Sequence, residues 1–297
     1  MRACLLIALA FAAAAPAAHP QGLQPGPTID GRFDIGGRAI RMVCEGTGLP
    51  VVVIDAGMGT APVEDAGWRG IATRVSPVAR VCLVDRAGVG GSDPPKQPTR
   101  TSGDAADDLH AALEAAAVPG PYLLAGHSVG GLHAQVFAHR YPDAVAGLVL
   151  LSSTHPEQMT TWRSLLPPRA VGEDAAITDL RDFLDGMLED PTRNPEALDV
   201  RASSAQARAL GTLGAKPLVI ATHSPRYRMA PGIPETLAVE LEAATQAMQA
   251  GWRSLSSNAT QRIAATAGHG LPHEDPDFVV DSILAAVEAV RQVPDAP

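Results

Sequence analysis

The sequence predicts an α/β protein: a mostly parallel, doubly wound sheet carrying a helical cap insertion. Three observations point there. Short apolar runs alternate with helix-like segments, as in a parallel sheet covered on both faces. One run, Val51-Val52-Val53-Ile54, is wholly β-branched, which suits a strand buried on both faces. A second run, Tyr122-Leu123-Leu124-Ala125, leads through Gly126-His127-Ser128-Val129-Gly130 into a helix-like segment over 132–140. This is strand, sharp turn and helix with a serine at the tip, the context in which G-x-S-x-G has chemical meaning.

The chemistry of that turn follows from its residue types. Glycines without a Cβ let the backbone bend tightly and let strand and helix approach, while Ser128 takes a strained conformation. The helix N-terminus behind it offers N–H groups and a dipole that favour the negative charge of an acyl-transfer intermediate.

Composition narrows the class. A chain of 297 residues with strand-like and helix-like segments spread evenly along it reads as one large domain. The net charge of −9, with no basic run, argues against nucleic acid and anionic membrane surfaces as partners.

The N-terminus reads as an export signal. Arg2 supplies a positive region, residues 5–15 an apolar one, and Ala15-Pro16-Ala17 a cleavage site. The apolar run is too short for a permanent membrane span, and no other segment is long and apolar enough. The expected organisation is a signal over 1–17, a mobile Pro- and Gly-rich stretch over 18–31, and one domain over 32–297. The location is outside the cytoplasm, periplasmic or secreted. Cys4 leaves with the signal, so Cys44 and Cys82 remain as an even pair in an oxidising compartment, either bridged or both free.

Taken in order, residues 32–44 read as a hairpin around Gly36-Gly37. Strand 50–55 ends in the glycine-rich loop Ala56-Gly57-Met58-Gly59. A helix over 64–75 and a strand over 78–84 lead to the loop Asp85-Arg86-Ala87-Gly88-Val89-Gly90-Gly91-Ser92. A helix over 102–118 starts at Ser102 or Asp104 as cap. The elbow helix stops before Pro142, and a strand follows over 145–151. Residues 153–216 show no strand pattern, only helix-like stretches over 174–189 and 196–213, so they read as an insertion over the sheet. A strand at 217–222, a helix at 234–255, a strand at 260–266 and a helix at 277–293 complete the chain.

This order of elements, with G-H-S-V-G on the middle strand and Gly268-His269-Gly270 after the last, resembles the α/β-hydrolase fold superfamily from residue 32 to the C-terminus. The loop beginning Asp85-Arg86 resembles the one after the fourth strand in that superfamily. The resemblance implies a serine ester hydrolase with the chain order Ser, acid, His. It also sets the second and fourth strands side by side, which implies a Cys44–Cys82 disulfide.

Roles then follow from chemistry. Ser128 is a weak nucleophile until a base takes its proton, and imidazole titrates nearest neutrality. Of nine histidines, His269 sits in a Gly-flanked loop after the last strand and is the expected base, with His273 as fallback. His127 supports the turn. The acid departs from the superfamily's common pattern, because Thr222-His223-Ser224-Pro225-Arg226-Tyr227-Arg228 after the seventh strand holds no carboxylate. Glu157, after the sixth strand, is the expected acid, with Glu235 and Asp275 as rivals. The oxyanion donors expected are the N–H groups of Val129 and Met58.

The reading is therefore an exported hydrolase of carboxylic esters using Ser128, His269 and Glu157. Its partner is a small-molecule ester, and no cofactor or metal is expected, since no H-E-x-x-H or Cys/His cluster occurs. Amide or peptide hydrolysis is the nearest alternative, and carboxylates in the insertion (Glu173, Asp174, Asp179, Asp182) are candidates to hold a substrate amine. A catalytically silent binding protein on the same scaffold is the alternative outside enzymes. Trp162, Leu165, Leu166, Phe183 and Met187 either line an acyl pocket or pack the insertion onto the sheet.

Overall fold

Parallel strands buried on both faces need helices above and below them, and the chain supplies both layers. The computed structural model describes residues 28–293. The expected signal over 1–17, and most of the stretch after it, lie outside the described residues. The strands are β1 (Ile29–Asp34), β2 (Ala39–Glu45), β3 (Val51–Asp55), β4 (Val81–Val84), β5 (Tyr122–His127), β6 (Val145–Leu151), β7 (Leu218–Thr222) and β8 (Ala259–Ile263). The helices are α1 (Ala66–Val75), α2 (Ser102–Ala115), α3 (Val129–Arg140), α4 (Gln158–Leu165), α5 (Ala175–Glu189), α6 (Val200–Arg208), α7 (Glu235–Gly251), α8 (Leu271–Glu274) and α9 (Pro276–Gln292).

The strands form one sheet in the order β1-β2-β4-β3-β5-β6-β7-β8. β1 pairs with β2, and β2 with β4, antiparallel; every other pairing is parallel. Alternation along β5 shows how the two faces fill. Tyr122 and Leu124 point to one core with Leu113 of α2 and Leu132 and Phe137 of α3. Leu123 and Ala125 point to the other, with Trp68 and Ile71 of α1 and Val279 and Ile283 of α9.

Register places Cys44 of β2 opposite Cys82 of β4, and the two form a disulfide. The bridge closes a loop spanning 38 residues, which in the chain-entropy account stabilises the fold by about 3–4 kcal/mol. The double variant Cys44→Ala/Cys82→Ala is expected to lose that amount in urea unfolding. Two alkylatable thiols in denatured, non-reduced native protein would refute the bridge.

The structure departs from the sequence-based elements in three instructive places. β1 begins at Ile29, inside the stretch expected to be mobile, because its backbone pairs with β2 from Ile29↔Cys44 onward. The expected helix over 196–213 shrinks to α6, because residues 194–199 form a turn held by the Asn194 side chain. That side chain accepts from Leu198 N at 2.9 Å and donates to Leu198 O at 2.9 Å. Helix α4 spans only eight residues, too few to show an apolar period in the sequence.

Helices α4, α5 and α6 lie between β6 and β7 in the chain. α4 and α5 form a core of their own with α7, in which Trp162, Leu180 and Leu184 meet Leu241 of α7, while α6 packs on α2 and α3. Among the described residues, no helix is long and apolar enough to cross a membrane.

Candidate active site

The elbow between β5 and α3 holds Ser128 at φ 55°, ψ −123°. A non-glycine residue there is strained, and tight packing is what maintains it. A Cβ at Gly126 would lie 2.5 Å from Gly130 O, and one at Gly130 would collide with the Asp55 carbonyl at the end of β3. The glycines are therefore required by the close approach of three backbones. Val129 is the first residue of α3, where N–H groups have no intrahelical acceptor.

His269 stands in the loop after β8, with Nε2 3.0 Å from Ser128 Oγ. Three contacts hold that loop. His127 Nε2–H donates to the His269 carbonyl at 2.7 Å, an assignment the carbonyl requires because it can only accept. The Glu274 carboxylate accepts from Gly268 N at 2.6 Å and from Gly270 N at 3.1 Å. The Tyr227 ring packs against Gly268 so closely that a Cβ there would lie 2.4 Å from it. Burial drives the imidazole of His269 down to about 3 and that of His127 down to about 4, so both are neutral near pH 7. A neutral His269 is the protonation state a base needs.

The other nitrogen of His269 does not meet Glu157. Its Nδ1 lies 2.9 Å from Ser152 Oγ. Ser152 is the first residue after β6, buried and at φ 40°. Its hydroxyl lies 2.6 Å from His223 Nδ1, and His223 Nε2 lies 3.0 Å and 3.2 Å from the two carboxylate oxygens of Glu242 on α7. Glu157 follows a further turn, sits at the start of α4, and turns outward to pair with Arg208 at 2.9 Å with its side chain 45% exposed. The position beside His269 is already filled by the first residue off the strand, so a carboxylate five residues on is carried past it. The rivals are elsewhere too. Glu235 pairs with Arg228, and Asp275 caps α9 through Phe278 N. His273, the fallback base, bonds Asp65 at 3.0 Å on the surface.

Ser152, His223 and Glu242 were missed by sequence reasoning for a definite reason. The superfamily's pattern points to a carboxylate in the loops after β6 and β7, whereas the first positions off those strands, which stand behind His269, carry a serine and a histidine. Glu242 lies mid-helix, where a carboxylate usually faces solvent.

The loop after β3 is built from below by charge. Arg86 donates to the carbonyls of Ala56 and Gly57, at 2.7 Å each, and pairs with Asp55 and Glu196. Glu196 also pairs with Arg100 and accepts from Gly59 N at 2.7 Å. All four charged side chains are nearly inaccessible to water. Met58 is thus clamped between two anchored glycines, and Gly57 packs on the elbow, where a Cβ would lie 3.1 Å from His127 Nδ1.

Ser128, Val129, Met58 and His269 open onto a cavity of about 580 Å³. Its walls are mostly apolar: Leu132, Met159, Trp162, Leu180, Met187 and Met229 line it. Phe183, Asp179 and Arg193 line it too and are themselves exposed. Of the expected pocket residues, Trp162, Phe183 and Met187 reach the cavity, while Leu166 packs the insertion and Leu165 lies against that same small core.

A family model described as alpha/beta hydrolase fold matches residues 50–214, more than half of the chain. The chain belongs to this family. Solved structures of similar architecture include an esterase from Thermogutta terrifontis, with a TM-score of 0.54 at 21% identity over 89% of this chain and 99% of that one. A haloalkane dehalogenase loop variant from Bradyrhizobium elkanii superposes with a TM-score of 0.60 at 18% identity over 89% of this chain and 98% of that one. At such identities the likeness concerns the fold alone. Among curated proteins, "Probable transporter efuK" of Hormonema carpetanum is 33% identical over 111 residues, 36% of this chain but only 16% of that protein.

Proposed function

We propose that this α/β hydrolase cleaves carboxylic esters through an acyl-enzyme on Ser128. The observation that carries the reading is a strained, cavity-facing serine whose Oγ lies 3.0 Å from the Nε2 of a half-buried, neutral histidine. In acylation, Ser128 Oγ bonds to the carbonyl carbon while its proton passes to His269 Nε2, and the carbonyl electron pair moves onto oxygen. The N–H groups of Val129 and Met58 are the proposed donors to that oxygen. On collapse, the alcohol leaves with the proton from His269. A water deprotonated by the same nitrogen then hydrolyses the acyl-enzyme and restores Ser128.

The apolar cavity walls favour an acyl or alkyl chain over a charged group. One observation favours a second reading, an amide or peptide hydrolase. Asp179, one of the carboxylates expected to hold a substrate amine, lines the cavity. Export follows from the expected signal over 1–17, and the Cys44–Cys82 bridge is in keeping with an oxidising compartment. One catalytic domain over 32–297, with its cap at 153–216, completes the proposal.

A fluorophosphonate probe tests the reading. Stoichiometric labelling mapped to Ser128 by mass spectrometry is expected. Its absence in folded protein would leave a binding protein on the hydrolase scaffold. A chain-length series of 4-nitrophenyl esters run against aminoacyl amides separates the two enzyme readings.

A further inference from the structure

The base is connected to a carboxylate, but not by direct contact. From the cavity inward, Ser128 Oγ, His269 Nε2 and Nδ1, Ser152 Oγ, His223 Nδ1 and Nε2, and the Glu242 carboxylate form one unbroken line of hydrogen bonds, each between 2.6 and 3.2 Å. Ser152, His223 and Glu242 are all buried. Gln246 donates to the Glu242 carboxylate at 2.7 Å and to the His223 carbonyl at 3.1 Å, which fixes the inner end.

With Glu242 ionised and His223 neutral, proton counting gives this line a single direction. An ionised carboxylate can only accept, so His223 Nε2 must carry a proton and donate it. In neutral His223 the other nitrogen, Nδ1, is then a lone pair. Ser152 has one hydroxyl proton and stands between two Nδ1 atoms. It must donate that proton to His223 and therefore accepts from His269. His269 consequently carries its proton on Nδ1 and presents a bare Nε2 to Ser128, the tautomer a general base requires. Reverse the charge state at Glu242 and nothing fixes the tautomer of His269.

We propose that Glu242, acting through His223 and Ser152, takes the place of the triad acid and sets the tautomer and orientation of His269. Ser152, His223 and Glu242 are positioning residues; none touches the reacting atoms. Two side chains, Ser152 and His223, stand between the carboxylate and the imidazolium that forms at His269 during turnover, where an acid in direct contact has none between. Its stabilisation of that charge is weaker than a direct acid's, whereas its control over the tautomer is undiminished. The bland alternative is a satisfied polar cluster that only fastens α7 to the end of β7.

The catalytic consequence rests on the hydrolase reading above; the proton arrangement does not. The first test is therefore made on resting wild-type protein with ¹⁵N-labelled histidine. NMR at pH 7 is expected to show His269 protonated at Nδ1 and His223 protonated at Nε2. The opposite tautomer at either ring overturns the proposal, whether or not any ester is hydrolysed.

The second test is Glu242→Gln, assayed with 4-nitrophenyl butyrate. A fall in kcat of about 10- to 100-fold with little change in KM is expected, less than for loss of an acid in direct contact. Glu242→Asp should restore part of it. Removing the negative charge disfavours imidazolium, so the acid limb of kcat should move to lower pH. The other titratable groups around His269 are His127 from β5, His223 and Tyr227 from the end of β7, and Glu274 from α8; the variant leaves His127, Tyr227 and Glu274 with their partners, and His223 alone loses its carboxylate. An unchanged kcat, or a change confined to KM, would reduce the cluster to a fastening. If the variant does not fold, the wild-type tautomers decide.

Discussion

Ser128→Ala is expected to lower ester turnover by about 10⁴- to 10⁶-fold, with His269→Ala falling in the same range, because the two act as a unit. The effect is large because Ser128 supplies the nucleophilic oxygen and His269 the neutral base 3.0 Å from it. The fold should be nearly untouched by the serine change. Backbone contacts keep the elbow in place: Thr154 N and Gly131 N donate to Ser128 O, and Ser128 N donates to Leu151 O. Alanine can adopt the same φ with the strain serine already carries. Circular dichroism melts should therefore overlay those of wild type within a few degrees. Some rate above background should persist from the Val129 and Met58 amides, which both variants leave in place. A Ser128→Ala enzyme with near-normal rates would end the acyl-enzyme proposal.

Glu196→Ala is expected to be the most destabilising single change, by about 3–5 kcal/mol, because it breaks a buried pair and leaves charge uncompensated. Its carboxylate, 2% exposed, receives Arg86, Arg100 and the Gly59 N–H. Arg86 would keep Asp55, but Arg100 would keep only the Ala87 carbonyl among its buried partners. Burial already drives the Arg100 guanidinium down to about 10, which shows how strongly that site opposes an unpaired charge. At this chain length the loss corresponds to a fall in Tm of roughly 6–20 °C. Activity should fall as well, since Glu196 joins the turn before α6 to the loop that carries Met58, a proposed oxyanion donor. A change below about 1 kcal/mol would mean that water or a rotated side chain takes over the role.

Much of this was legible along the chain because its causes are local. The β-branched run of β3, the apolar strand before the elbow, and glycines forced by backbone approach within a few residues all announce themselves in sequence. The elbow serine and the histidine of the last loop follow from the same logic, as does the even pair of cysteines. The acid was not legible. Glu157, Glu235 and Asp275 sit in plausible loops, yet each side chain pairs with an arginine or caps a helix instead. Glu196 and Glu242 are ordinary helix- or turn-borne carboxylates in sequence, and their weight comes from partners 19 to 137 residues away.

The sequence by itself thus determined the α/β class, the strand that carries Ser128 and the loop that carries His269, and its resemblance to the hydrolase fold implied the Cys44–Cys82 pairing. These depend on periodicity, glycine geometry and element order, all of which are written over short stretches. Only the tertiary structure decided what stands behind His269 and what holds the Met58 loop. Which side chain fills a buried polar position depends on where strand ends and helices converge, and hydrogen bonds satisfied across the fold leave no pattern in the residues that make them.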